Sequence, residues 1–299
     1  MKTILEPVCF DLIREARQLT ATAVADIAGT FDAKAQVTQL LSGKMLRTRL
    51  ASFLACRGFA PKNPVALPFI CAATEIVHTA SLCHDDVIDN SLIRRAHPTL
   101  WRTAGPSGAI LIGDLLLCRA MKLILEAEDG RYVEAFIAKV AEVCAAETEQ
   151  ELKYRGKILE EETCLRLARG KAGPLFAFIA GACADDDRTL SLALQESGYC
   201  IGTAYQLADD LLDVVGSERL SGKTLGTDLK RFKCTLSQTM PSERLLGHVR
   251  AQCEKALGCL SPWPGARDAV AQYLNLILKP LFERYFADFK DTYEPATEQ

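Results

Sequence analysis

The chain has 299 residues, of which 49% are hydrophobic and 24% are charged, and its net charge at pH 7 is −3. This is the composition of an ordinary globular protein with ample apolar material for a core. The near-neutral charge excludes a global basic surface for nucleic acid or anionic lipid, so phosphate binding requires local clusters of Lys and Arg.

The twelve cysteines and four histidines do not form a zinc pattern, since no C-x-x-C pair occurs. The cysteines are scattered singly, which favours reduced thiols packed as small core residues in a cytoplasmic protein. The N-terminal stretch meets charged residues and a proline too early for a signal peptide. No run reaches the roughly 18 apolar residues of a membrane span, so we expect no integral membrane segment.

Hydrophobic residues recur at three- and four-residue spacing along most of the chain, whereas the alternation typical of strands is almost absent. We therefore predict an all-α fold, a large helical bundle. The predicted helices cover, in chain order, 8–28, 64–82, 107–126, 131–155, 161–182, 189–215 and 265–288. Segments 64–82 and 107–118 are apolar on most faces, which is typical of helices in the middle of a bundle. No linker-like composition divides the chain, which predicts a single domain over residues 1–299.

Two long polar stretches, 90–108 and 216–241, interrupt this pattern, and both are rich in Lys and Arg. Loops of this length within a compact domain are usually functional or disordered. Each follows an Asp-Asp-x-x-Asp cluster directly. The clusters consist of Asp85, Asp86 and Asp89 and of Asp209, Asp210 and Asp213. On a helix, this spacing gathers the three carboxylates near one edge.

A single cluster of this kind is more often a solvated helix edge. Two copies beside strongly apolar helices favour a cation site, because unpaired carboxylates repel each other and resist desolvation. Carboxylate oxygens without His or thiolate partners suit Mg²⁺, which binds a few carboxylates together with substrate phosphates and water. The pair therefore predicts a clamp for a metal-bridged diphosphate.

Basic residues near the clusters are candidates for diphosphate binding. They include Arg94 and Arg95 in the first loop, Lys223, Lys230, Arg231 and Lys233 in the second, Lys171 within a helix, and Lys44, Arg47 and Arg49. The alternative for the loop residues is that their charges only keep the loop soluble. The alternative for Lys171 is that its apolar stem packs on the helix while its amine reaches solvent. His78 precedes Asp85 by two helical turns, so it shares that face of the helix. Gly222-Lys223-Thr224 is not a phosphate-binding P-loop, because residue 217 is Ser and a helix precedes it.

Six segments together resemble the trans-polyprenyl diphosphate synthases over roughly residues 40–236. GKMLR resembles the family's GKxxR, HTASLCHDDVID its first aspartate-rich motif, RRAHPT its RRGxPT, and AETEQ its GExxQ. AYQLADDLLD resembles FQxxDDxxD, and GKTLGTDLKRFKCTL resembles GKxxGxDLxxxKxTL. The resemblance implies an antiparallel helical bundle around a deep cavity, usually in a homodimer. It implies a reaction that joins isopentenyl diphosphate head to tail to an allylic diphosphate.

The resemblance also implies roles for individual residues. Three Mg²⁺ ions are held by Asp85, Asp86, Asp89, Asp209, Asp210 and Asp213. The allylic diphosphate is bound by Arg94, Lys171, Gln206, Lys223 and Lys233, and isopentenyl diphosphate by Lys44, Arg47, His78 and Arg95. The catalytic set is Asp85, Asp86, Asp89, Asp209, Asp210, Lys171 and Arg94.

Departures of this sequence from the family pattern include four that remove no charge. Ala172 replaces a Thr, Tyr205 a Phe, Ala96 a Gly and Thr48 a Pro. Product length is expected to depend on Ala80 and Ser81, about one turn before Asp85, where short-product members place aromatic rings. The small side chains predict a product longer than farnesyl, with Met121 or Leu116 as a deeper floor. A geranylgeranyl or farnesyl diphosphate synthase is the alternative.

Two other classes share some of these features. A class I terpene cyclase has the fold and the first cluster, but normally carries a different second motif and lacks the isopentenyl site. A non-catalytic partner subunit usually loses aspartates, whereas this chain keeps all six.

Overall fold

A computed structural model describes residues 7–31, 43–286, 289 and 292–294. The long helices are α1 (Pro7–Phe31), α2 (Leu46–Ala55), α3 (Ala66–Ile88), α4 (Leu100–Glu126), α5 (Val133–Glu149), α6 (Glu161–Ala182), α7 (Arg188–Val215), α11 (Ser242–Gly258) and α12 (Pro264–Tyr273). Short helices are α8 (Glu218–Ser221), α9 (Thr227–Lys230), α10 (Leu236–Thr239) and α13 (Lys279–Glu283). Turns of 3₁₀ helix (Ala127–Gly130) and of π-helix (Gln150–Tyr154 and Leu274–Leu278) join some of them. The prediction of an all-α fold is confirmed.

The helices differ from the sequence prediction at several places, and the predicted helix 265–288 divides into α12, a turn of π-helix and α13. Helices α2 and α11 were not predicted, and α4 begins at Leu100, inside the first polar stretch. Gly105, at φ 75° before Pro106, interrupts α4 and hides its first turns from a periodicity analysis. The second polar stretch contains the one-turn helices α8, α9 and α10, which are too short for a periodic signal.

A two-stranded hairpin, absent from the prediction, lies in the first polar stretch. Strand β1 (Ile93–Arg94) pairs antiparallel with β2 (His97–Pro98). The turn residues Arg95 and Ala96 have φ values of 53° and 62°, as a two-residue hairpin turn of type I′ requires. This conformation favours glycine, which the family pattern has in place of Ala96, so the sequence carries no ordinary turn signal here.

Helix α3 runs through the middle of the bundle, as its uniformly apolar sequence predicts. The same prediction for segment 107–118 of α4 is wrong, because Ile110, Leu111 and Leu115 are 43%, 62% and 37% exposed. Ile70, Cys71, Ala72 and Ala73 are consecutive and fully buried, which is possible only with neighbours on every side. Among the described residues, this is the one helix long and apolar enough to cross a membrane, and 78% of its apolar window is buried inside the protein. Such burial is typical of the core helix of a folded domain.

Helices α6 and α7 make the closest helix contact around the site. A Cβ on Gly202 would lie 2.6 Å from the Cα of Gly173, and one on Gly198 would lie 2.7 Å from the backbone of Ala177. The two backbones therefore touch, and only glycine fits at these crossings. This crossing fixes Lys171 of α6 relative to the aspartate cluster at the end of α7.

The cysteine prediction is confirmed only in part. Ten cysteines within the described residues are free thiols, and most are buried. Cys56 is disulfide-bonded, so the expectation that every cysteine is reduced is wrong.

Candidate active site

A cavity of about 330 Å³ lies between the ends of α3 and α7, the hairpin and the 216–241 loop. Side chains from α2, α5, α6 and the C-terminal residues 281–286 complete its wall. Of the predicted site residues, fifteen line it: Lys44, Arg47, His78, Ser81, Asp85, Asp89, Arg94, Arg95, Lys171, Gln206, Asp209, Asp210, Asp213, Lys223 and Lys233. The fold therefore brings both aspartate clusters and both basic loops to one cavity.

Among the residues with roles implied by the resemblance, Asp86 and Ala80 do not line the cavity, and neither do the candidate cations Arg49 and Arg231. Asp86 is 4% exposed and accepts hydrogen bonds from Arg94 Nε (2.8 Å) and Nη2 (2.7 Å). Ala80 is fully buried in the core, whereas Ser81 faces the cavity. Adjacent residues of a helix point about 100° apart, so Ala80 and Ser81 cannot both face the cavity.

Neither residue predicted as a deeper floor lines the cavity. Met121 is 44% exposed and Leu116 is fully buried. Leu82 of α3 and Val143 of α5 contribute apolar wall near Ser81 instead. The sequence prediction missed α5 as a wall, because pairing between helices cannot be read from periodicity.

Hydrogen bonds join the two basic loops. Ala96 N donates to Gly222 O (2.8 Å) and Thr224 N donates to Ile93 O (3.0 Å). The Thr224 hydroxyl accepts hydrogen bonds from the backbone N–H of Leu92 (3.0 Å) and Ile93 (2.9 Å). The Gly222-Lys223-Thr224 segment, rejected above as a P-loop, thus fixes the hairpin against the second loop.

Several aspartates are paired with the basic residues predicted to bind diphosphate. Asp209 Oδ1 accepts from Lys223 Nζ (2.7 Å), and Asp89 Oδ1 accepts from Lys233 Nζ (2.7 Å). Although burial opposes ionisation, Lys233 and Arg231 hold the pKa of Asp89 below its usual value. Asp213 accepts a hydrogen bond from the backbone N–H of Asp228 (3.2 Å). The side chain of Lys230 lies outside the described residues.

Lys171 lies between the two clusters. Its Nζ donates to Gln150 Oε1 (2.8 Å) and pairs with Glu147 Oε1 (3.2 Å), two residues of the AETEQ segment. Burial opposes its charge, but Glu147 and Asp210 raise the pKa of Lys171 above its usual value. Burial and the nearby Glu147 raise the pKa of Asp85 to about 7. Burial and the nearby Asp228 raise the pKa of Asp210 to about 7 as well. Asp85 and Asp210 therefore lie where additional positive charge would stabilise their ionised forms.

Arg47 and Arg95 lie near Glu75, a buried carboxylate that the sequence prediction missed. Glu75 Oε1 accepts from both the backbone N–H (3.1 Å) and the hydroxyl (3.0 Å) of Thr48. A proline at residue 48, as in the family pattern, has no N–H and no hydroxyl to donate. Glu75 precedes His78 by three residues, so the helix face that the two share was a signal that could have identified it.

Arg47 is 6% exposed, and its guanidinium carbon lies 4.9 Å from the centre of the Phe176 ring. Its buried Nε has no hydrogen-bond partner among the described residues. Burial, together with Arg47 and Arg95, lowers the pKa of His78 well below its ordinary value, so the imidazole is neutral at pH 7. These groups present hydrogen-bond donors and positive charge to the cavity.

Additional residues line the cavity without having been predicted. They are Glu75, Glu147, Tyr205, Asp228, Leu281, Phe282, Tyr285 and Phe286, among others. Tyr205, which replaces the family's Phe, is partly buried, and burial raises the pKa of its phenol. Phe282, Tyr285 and Phe286 come from the C-terminal part of the chain, which carries no motif.

An all-helical bundle with two aspartate clusters and two basic loops on one cavity defines a class of enzymes that handle diphosphate esters. A family model described as polyprenyl synthetase matches residues 31–258, and the chain belongs to this family. The resemblance found in the sequence is thereby confirmed, and the chain is an enzyme that transfers prenyl groups.

The similar curated proteins are named for products of different chain length. The chain is 32% identical to a geranylgeranyl diphosphate synthase of Mycobacterium tuberculosis over 77% of this chain and 67% of the relative. It is 30% identical to an octaprenyl diphosphate synthase of Haemophilus influenzae (79% and 70%) and 31% identical to a farnesyl diphosphate synthase of Geobacillus stearothermophilus (80% and 88%).

Solved structures share the fold. A polyprenyl synthase from Caulobacter crescentus, complexed with calcium and isoprenyl diphosphate, is 25% identical with a TM-score of 0.70, covering 86% of this chain and 95% of that one. A geranyltransferase from Helicobacter pylori, complexed with magnesium and isoprenyl diphosphate, is 23% identical with a TM-score of 0.74, covering 93% and 98%.

Proposed function

We propose that this protein is a trans-polyprenyl diphosphate synthase that condenses isopentenyl diphosphate with an allylic diphosphate to give a product longer than fifteen carbons. The observation that carries the proposal is the single cavity that receives both aspartate clusters and both basic loops. A cyclase needs no second diphosphate site, and a non-catalytic subunit needs no complete set of carboxylates.

The donor set of the cavity fits Mg²⁺. Five of the six aspartates line it, and the chain supplies oxygen donors without neighbouring thiolates, which is the chemistry of a hard cation. Among the described residues, no three His, Cys, Asp or Glu side chains converge on one point. Lys223, Lys233 and Arg94 each form an ion pair with one aspartate, namely Asp209, Asp89 and Asp86. We therefore propose that both clusters hold the metal, three ions as the resemblance implies, jointly with the substrate diphosphate. Bound Mg²⁺ stabilises the negative charge that develops on the leaving diphosphate.

We assign the allylic diphosphate to the cations next to the two clusters: Arg94, Lys171, Lys223 and Lys233. Gln206, whose Nε2 donates to Asp210 Oδ1 (2.7 Å), positions that carboxylate. Each cation already lies beside a carboxylate, so the positive charge is arranged before the C–O bond breaks. The allylic cation then requires a dry apolar surface, and Leu82 and Val143 provide part of one.

We assign isopentenyl diphosphate to Lys44, Arg47, Arg95 and His78. The unpartnered Nε of Arg47 is a buried donor, and such a donor gains most from an anionic acceptor. The neutral imidazole of His78 donates one N–H. The double bond of the isopentenyl group attacks the allylic cation, and the departing diphosphate accepts the proton that is then lost.

Product length is proposed to depend on Ser81, the small side chain that the structure places on the cavity wall. Aromatic side chains at this level close the cavity in short-product members of the family, and Ser81 leaves it open. We accordingly favour products above fifteen carbons over farnesyl diphosphate.

The experiment incubates the protein with Mg²⁺, labelled isopentenyl diphosphate and geranyl, farnesyl or geranylgeranyl diphosphate, and sizes the dephosphorylated products. We expect products above fifteen carbons, and we expect Ser81→Phe to shorten them by at least one five-carbon unit because the ring fills the wall. Ser81→Ala, which keeps the side chain small, serves as the control. Products that stop at fifteen carbons in the unsubstituted protein contradict the length assignment.

A homodimer is proposed from an exposed apolar stripe on α4. Ile110, Leu111, Leu115, Met121 and Leu125 are between 37% and 62% exposed and recur at helical spacing. Ile137 of α5, 46% exposed, extends the same kind of surface to the following helix. Exposed apolar surface of this extent commonly marks a subunit interface, and a twofold axis lets the same stripe serve both protomers.

Leu111→Glu is expected to convert the dimer into a monomer, because it places a charge in the apolar contact. Sedimentation velocity measures the change. Leu192→Glu changes a leucine of α7 that is 60% exposed, close to the 62% of Leu111, and it should leave the dimer intact. Monomeric unsubstituted protein at micromolar concentration contradicts the assignment.

A further inference from the structure

Arg231 bridges the two sides of the cavity mouth. Its Nη1 donates to Asp89 Oδ1 (2.6 Å) and its Nη2 donates to Glu151 Oε1 (2.5 Å). The side chain is 10% exposed, and those of Asp89 and Glu151 are 16% and 24% exposed. One guanidinium thus connects the last carboxylate of the first cluster to the π-helix that follows α5.

The backbone of Arg231 is anchored on the Glu151 side. Its carbonyl accepts from Arg155 Nε (3.2 Å), and the next carbonyl, that of Phe232, accepts from Gly156 N (2.8 Å). Its own N–H donates to Thr227 O (3.1 Å). None of these hydrogen bonds involves Asp89. The main chain therefore stays against residues 151–156 whether or not the side chain touches Asp89.

Glu151 has an unused acceptor beside Arg231. Its Oε2 is buried and has no hydrogen-bond partner among the described residues, while Oε1 receives both Arg231 Nη2 and Arg155 Nη1 (2.9 Å). A buried carboxylate oxygen without a donor is unfavourable. A guanidinium matches both oxygens of one carboxylate through two parallel N–H groups. Glu151 Oε2 is therefore available as a second acceptor for Arg231 Nη1.

We infer that Arg231 is a positioning residue that alternates between two carboxylates, and the inference depends on the proposed function of Asp89 as a metal ligand. Without metal, Arg231 shares Asp89 with Lys233. When Asp89 serves as a metal ligand, Arg231 releases its Oδ1 and forms a bidentate pair with Glu151. Arg231 then competes with the cation for Asp89, and Glu151 weakens that competition by offering the alternative acceptor.

The two residues should therefore change metal affinity in opposite directions. Titration with Mn²⁺ at a fixed concentration of inorganic diphosphate, with a protein-free blank and followed by the electron paramagnetic resonance signal of the free ion, measures this without turnover. Arg231→Gln is expected to tighten Mn²⁺ binding about fivefold or more, since one charge-assisted hydrogen bond no longer competes. Glu151→Gln is expected to weaken it by a similar factor. Arg244→Gln, which removes a 63% exposed guanidinium paired with Glu161, should change nothing.

A double variant separates this mechanism from simple loss of nearby charge. If Glu151 acts through Arg231, Glu151→Gln has no further effect in the Arg231→Gln background, whereas independent charge effects add. Asp89→Asn is the reference for the metal site itself. Suppose that Asp89→Asn weakens Mn²⁺ uptake. If Arg231→Gln then does not tighten it, or if the effects of Arg231→Gln and Glu151→Gln add in the double variant, the inference is wrong and the proposed function stands. If Asp89→Asn leaves uptake unchanged, the proposed metal site is wrong.

Discussion

Replacing Asp85 or Asp210 by asparagine is expected to lower kcat/KM about a thousandfold, which corresponds to about 4 kcal/mol of lost transition-state stabilisation. The two carboxylates come from opposite clusters, line the same cavity and both interact with Lys171. Asparagine keeps the shape and removes the charge that would hold the metal on the leaving diphosphate. Steady-state kinetics with labelled isopentenyl diphosphate and farnesyl diphosphate measures the loss.

Stability should not fall with activity in these variants. Burial and neighbouring carboxylates raise the pKa of both aspartates to about 7, so their ionised forms are unfavourable in the metal-free protein. Asparagine removes that repulsion, and we expect an unchanged or higher Tm. Asp186→Asn changes an exposed aspartate paired with Arg131 and serves as the charge-matched control. Retention of more than a tenth of the activity by either cluster variant would show that the clusters do not hold the catalytic metal.

Arg47→Gln is expected to raise KM for isopentenyl diphosphate roughly 30- to 150-fold, because a buried charge-assisted contact contributes about 2–3 kcal/mol. KM for the allylic diphosphate should change little, since that substrate is assigned to Arg94, Lys171, Lys223 and Lys233. The separation between the two constants distinguishes loss of one binding site from a general disturbance of the cavity. Initial rates with each substrate varied at saturation of the other provide both values.

Arg57→Gln, on the exposed turn after α2, is the control for Arg47→Gln. Because Arg47 is packed against Phe176, a Tm measurement accompanies the kinetics. A variant that folds and shows equal increases in both KM values would argue that Arg47 supports the whole cavity and does not select isopentenyl diphosphate.

Local sequence patterns predicted the parts of this fold that depend on local physics. Helix α3 was placed in the middle of the bundle because its residues are apolar on most faces, and Ile70 to Ala73 are fully buried. The spacing of the two aspartate clusters on apolar helices predicted that they meet. That Asp85 and Asp210 line one cavity agrees with this expectation, while their roles in metal binding stay predictions.

Contacts between distant segments were not predictable in the same way. Arg231 and Asp89 lie 142 residues apart in the chain, and nothing in either local sequence specifies their pairing. The same holds for the hydrogen bonds between the hairpin and the Gly222–Thr224 segment, and for the wall formed by Tyr285 and Phe286. Asp86 shows a finer limit, because the cluster motif does not specify that its carboxylate pairs with Arg94 and does not line the cavity.

The most direct test of the central claim is whether the purified protein adds labelled isopentenyl diphosphate to farnesyl diphosphate in the presence of Mg²⁺. We predict a dephosphorylated product lengthened by whole five-carbon units, and no product when EDTA removes the metal. Folded protein that adds no isopentenyl unit to any allylic primer at millimolar Mg²⁺, or that elongates equally well in EDTA, would contradict a metal-dependent condensation at the two aspartate clusters.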